Sequence, residues 1–141
     1  MICENAQSFL DLLAEKNMQP KAVREENGKT AVVASVHSKV TKYDIVFLFD
    51  PEHMVQIMVP EILSCPQNKF LELLNVCNRQ NAKFRWFKYY LTEARDSFSL
   101  RIQSDLYINP DNSGNVCMDI MLRMIRVIDE AYPEFMKTIW G

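Results

Sequence analysis

The spacing of apolar residues changes period several times along the chain, and each change marks an element. Phe9, Leu10, Leu13 and Ala14 recur at steps of three and four behind Asn5, which predicts an amphipathic helix over residues 5–17. Period-two segments follow. Ala22–Glu26 and Lys29–Ser38 flank Asn27-Gly28, a pair suited to a two-residue hairpin whose central positions both need positive φ. Tyr43–Phe49 and Met54–Val59 read as two further strands across the Asp50-Pro51-Glu52-His53 turn. Ser64, with Gln67 three residues on, has the spacing of a capping box for a second helix, whose stripe is Phe70, Leu71, Leu74 and Cys77. Lys83–Leu91 and Ser97–Ile108 form another predicted hairpin around Glu93-Ala94-Arg95-Asp96. Its second strand sets Phe98, Leu100, Ile102, Leu106 and Ile108 against Ser99, Arg101, Gln103 and Asp105.

Beyond a polar loop at Asn109–Asn115, a long helix carries Cys117, Met121, Met124, Ile128 and Ala131. Pro133 is expected to bend or restart it, leaving Tyr132, Phe135, Ile139 and Trp140 as an apolar tail. The predicted order is α-β-β-β-β-α-β-β-α. It describes a single α+β domain over residues 1–141, with helices laid on a largely antiparallel sheet of five to six strands.

Several strands are apolar on both sides. Ile45, Phe47 and Phe49 oppose Val46 and Leu48; Val55, Ile57 and Val59 oppose Met54 and Met58; Phe87, Tyr89 and Leu91 oppose Phe84, Trp86 and Tyr90. Three helical segments suffice for one sheet face, so the second apolar set needs another cover. The C-terminal segment folding back, a protein partner or second subunit, and a small apolar ligand would each serve. Methionine on such a surface suits adaptable recognition. The candidate interaction residues are Val46, Leu48, Met54, Met58, Phe87, Tyr89 and Leu91.

Composition narrows the function classes. The chain has 141 residues, 48% hydrophobic and 24% charged, with a net charge of −2, so no overall field draws it to nucleic acid or anionic lipid. Cys3, Cys65, Cys77 and Cys117 form no Cys-x-x-Cys pair and read as reduced, buried thiols. The start lacks a basic, apolar leader pattern and no stretch has membrane-spanning length, so a cytoplasmic protein without a membrane partner is expected.

The only histidines, His37 and His53, lie in different elements with no ligand at metal spacing. Asn109–Gly114 imitates the start of a calcium loop but ends on Ile120 where a bidentate Glu belongs. Three glycines build no phosphate loop, and no nucleophile motif stands out. Neither a cofactor nor an enzymatic activity is expected. One stretch is unusual: Lys83-Phe84-Arg85-Trp86-Phe87-Lys88-Tyr89-Tyr90 interleaves basic and aromatic residues, as platforms for single-stranded nucleic acid do. Period-two geometry splits its charges between faces, so nucleic acid is disfavoured against a protein partner, with a small ligand as the alternative.

Leu74-Asn75-Val76-Cys77-Asn78, followed by Ala82-Lys83-Phe84-Arg85-Trp86, a hairpin and Ser104-Asp105-Leu106, resembles the YbjN-like family over roughly residues 8–132. That resemblance implies the type III secretion chaperone fold in a bacterial, non-enzymatic domain. Such a domain acts through protein contacts, as a chaperone-like or sensory-transduction regulator and often as a homodimer. Asn75 and Asn78 then serve the helix end and the following turn.

Overall fold

The computed structural model describes every residue, Met1–Gly141. Its elements run α1 (Glu4–Glu15), β1 (Ala22–Glu26), β2 (Lys29–His37), β3 (Lys42–Phe49), β4 (Met54–Pro66), α2 (Phe70–Lys83), β5 (Lys88–Glu93), β6 (Ser97–Tyr107) and α3 (Ser113–Trp140). The six strands form one antiparallel sheet in the order β1-β2-β3-β4-β6-β5. The α+β class and the element order are those the periodicity predicts.

The helices share one face of the sheet. Phe9 of α1 lies over Phe47 with ring centroids 4.5 Å apart, Phe70 at the start of α2 over Phe98 at 4.4 Å, and Phe135 of α3 over Tyr89 at 5.1 Å. Between these layers sits a single core that includes Ile45, Ile57, Leu100, Ile102, Met124 and Ile128, all sealed from solvent. The α1–α3 contact is close because Gly114 lacks a side chain. A Cβ there would stand 3.0 Å from the Ser8 carbonyl oxygen and 3.3 Å from Leu12 Cβ. The Ser113 hydroxyl adds a 2.7 Å hydrogen bond to the Asn5 carbonyl, tying the two helix starts together.

Three local expectations are corrected. Ser64 does not cap a helix: it lies in β4 opposite Ser99, and its hydroxyl meets that of Ser97 at 3.3 Å. β4 runs on to Pro66 because pairing with β6 continues past an irregularity between Val59 and Leu63. Pro60, which has no N–H to give the ladder, falls in that irregularity, and its carbonyl accepts from Arg101 Nε at 2.8 Å. A 3-10 turn at Gln67–Lys69 then leads into α2 at Phe70.

The second correction concerns residues 83–87, which are not strand. α2 persists to Lys83, Trp86 turns through φ 65°, and β5 starts only at Lys88. A side chain fixes this strand in place. Asn81 accepts from the Tyr89 N–H at 2.6 Å and donates to the Tyr89 carbonyl at 3.0 Å, so its amide occupies the position of a neighbouring strand. The third correction is Pro133, which does not restart α3. The helix continues to Trp140, with buried Ala131 and Phe135 on either side of the proline holding this segment against the core.

Candidate interaction surface

Because all three helices lie on one side, the other face of the sheet has no cover from its own chain, and the C-terminal segment does not fold back over it. Register defines that face row by row. One row runs Ala22, Val33, Val46, Met58, Gln103, Lys88; the next runs Arg24, Ala31, Leu48, Gln56, Asp105. Met54 pairs with the largely exposed Tyr107 below them. Val33, Val46, Leu48, Met54 and Met58 are each only half-buried, while their chain neighbours Val32, Ile45, Phe47, Val55 and Ile57 are fully enclosed. The apolar residues thus cluster on β2, β3 and β4, the central strands.

Polar groups surround this centre. On one side Lys21 meets Asp44 at 2.8 Å, and Asp44 also accepts from the Ser35 hydroxyl at 3.2 Å. On the other the Tyr90 hydroxyl donates to Gln103 at 2.7 Å, and the Gln103 amide donates to Asp105 at 3.2 Å. An apolar centre within a hydrogen-bonding rim is the usual anatomy of a protein interface. Leu48 borders two shallow hollows, of about 230 and 320 Å³, on either side of it.

The seven candidate residues divide. Val46, Leu48, Met54 and Met58 lie on the open face. Phe87, Tyr89 and Leu91 do not, because Tyr89 pairs with Ile102 and Leu91 with Leu100 on the helix-covered side. Phe87 and Tyr89 are buried, and the Tyr89 hydroxyl donates to the Val127 carbonyl at 3.0 Å. Burial, followed by the charges of Tyr43, Cys77, Glu130 and Asp129, pushes this phenol far above its ordinary range. These three residues belong to the core. Period two correctly grouped them with one another, but the phase of a strand does not reveal which of its sides the helices cover. Their places on the open face are taken by Lys88, Tyr90 and Thr92.

His37 ends β2, and His53 lies at the opposite end of the sheet in the β3–β4 turn, where its Nδ1 is 3.0 Å from the Asn5 side-chain amide. No three His, Cys, Asp or Glu side chains gather in a group able to hold a metal ion. The Asn109–Gly114 loop is closed by its own side chains, Asn109 Oδ1 accepting from the Asp111 and Asn112 N–H groups at 3.0 and 3.1 Å. All four cysteines are unpaired. Burial lifts the Cys65 thiol to about 11 and those of Cys77 and Cys117 to about 12, the wrong direction for a nucleophile. No helix is long and apolar enough to cross a membrane. No family model matches this chain, and no curated protein is significantly similar to it.

Proposed function

We propose that this chain is a non-enzymatic interaction module that acts as a homodimer, two copies meeting through the open sheet face. The observation that carries this reading is the uncovered apolar cluster of Val33, Val46, Leu48, Met54 and Met58 at the middle of the sheet. Two sheets packed face to face at about 10 Å would exclude water from such a cluster.

Charge favours a second copy as the occupant. The row through Leu48 starts at Arg24 and ends at Asp105, with Ala31, Leu48 and Gln56 between them. A two-fold axis lying along β3 sets the Arg24 end of one copy over the Asp105 end of the other, twice, with Leu48 near the axis. The patch is then self-complementary, as a symmetric dimer requires. The reading agrees with the YbjN-like resemblance, which implies a chaperone-like or regulatory adaptor working through protein contacts.

Analytical ultracentrifugation tests it. The wild-type protein is expected to sediment as a dimer at micromolar concentration, and Leu48→Asp as a folded monomer. Arg24→Asp and Asp105→Arg should each weaken the dimer, while the two together in one chain restore it. A wild-type monomer at every concentration, or a charge swap that restores nothing, would overturn the proposal.

A further inference from the structure

A second surface, remote in kind from the apolar sheet face, lies where the turn between α2 and β5 meets α3. It is a cleft of about 330 Å³ whose walls include Lys83, Arg85, Trp86, Arg123, Arg126 and Glu130. Four cations therefore face one carboxylate, in a protein whose net charge is −2. Arg123 is already held by Asp119 at 2.9 Å. The side chains of Lys83, Arg85 and Arg126 make no ion pair and no hydrogen bond with the protein, so their donors are all available.

The aromatic component is equally unsatisfied. Trp86 is 56% exposed and stacks on no other ring. Its backbone sits at φ 65°, a region a bulky residue rarely enters and one that functional sites often hold in place. The supports on both sides are rigid. Asn81 clasps the Tyr89 backbone, and the Tyr89 hydroxyl is bonded to the Val127 carbonyl. Buried Phe87 and Val127 supply an apolar floor. An outward-held indole beside unpaired guanidinium groups offers a planar stacking surface and a fork for phosphate oxygens.

We infer that this cleft binds a nucleotide, its base stacked on Trp86 and its phosphates held by Arg85, Arg126 and Lys83. The same chemistry is presented by a free mononucleotide and by the end of a single strand. Binding of either kind is electrostatic in part and weakens with added salt.

Trp86 is its own reporter once the protein's other tryptophan is removed by Trp140→Phe. In that background, ADP is expected to quench the emission saturably at low salt. Arg85→Gln combined with Arg126→Gln should weaken the apparent affinity at least about tenfold, the scale of losing one charged contact. Glu130→Gln removes the opposing carboxylate and should tighten binding, a gain that misfolding cannot imitate. Inorganic phosphate should compete with ADP without quenching. An oligoadenylate binding more tightly than ADP assigns the site to strand ends, and one binding no better assigns it to free nucleotides. Absence of saturable quenching by either compound, or equal affinity in the arginine double variant, would overturn the inference.

Discussion

Phe47 and Leu48 are adjacent on β3, both large and apolar, and they point to opposite faces of the sheet. Phe47 is sealed beneath Phe9 of α1, while Leu48 is only partly buried and borders two hollows. The same division separates Val32 from Val33, Ile45 from Val46 and Ile57 from Met58. Strand geometry alone makes these pairs alternate. What distinguishes the members of each pair is the helical layer, which covers one side and leaves the other to solvent or to a second molecule. Apolar content therefore measures how much surface a strand must hide, but not what hides it.

The largest expected effect comes from the covered side. Phe47→Ala should cost about 3–5 kcal/mol, because the surrounding core cannot collapse into the space beneath α1; thermal unfolding of wild type and variant measures it. Leu48→Asp, one residue away, should cost only about 1 kcal/mol in strand propensity while abolishing the dimer. If Leu48→Asp proved as destabilising as Phe47→Ala, the two faces would not differ as described. Ser104, opposite Ile57 on the covered face, is buried with no partner for its hydroxyl. Ser104→Ala should therefore be neutral or stabilising by up to about 1 kcal/mol, or about 3 °C in Tm.

The last effect is one of pH and is confined to alkaline solution. The buried thiols ionise at about 11 to 12 when folded, against 9.0 for a free thiol. Below the free value both states are protonated and nothing changes. Above it the unfolded chain loses protons first, so stability falls as pH rises from 9.0 towards about 12. Denaturant titrations of the Leu48→Asp monomer over that interval measure it together with the contribution of the same sign from the buried Tyr43 and Tyr89 phenols. A flat profile would mean the thiols are not shielded.

Much of this architecture was legible from residue spacing. Asn27-Gly28 located the first hairpin correctly, with both residues at positive φ, and the stripe from Cys117 to Ala131 is buried throughout. Reading failed where distant pairing outweighed local signals. Ser64 and Gln67 have capping-box spacing, but β6 supplies strand partners as far as Pro66, and the ladder prevails. Phe84 to Phe87 alternate like a strand, yet α2 and the Asn81 clasp leave that segment as a turn. Four of the seven candidate residues lie on the open face, as their alternation with the core positions implies. Val46, Leu48, Met54 and Met58 belong to strands whose outer side was correctly inferred. For Phe87, Tyr89 and Leu91 the side depended on where α2 and α3 come to rest, which no spacing encodes. The cluster of Lys83, Arg85 and Trp86 was visible as a composition, but its partners on α3 are some forty residues away in the chain.

The Asn81 amide also bears on how this protein can assemble. By holding both backbone groups of Tyr89 it occupies the outer edge of β5 at that residue, where an incoming strand would otherwise pair. A polymer growing strand by strand needs two receptive sheet edges, and a side chain already seated on one of them hinders such growth. Removing that carboxamide, as in Asn81→Ala, would leave the Tyr89 backbone groups free to pair with a strand of another chain.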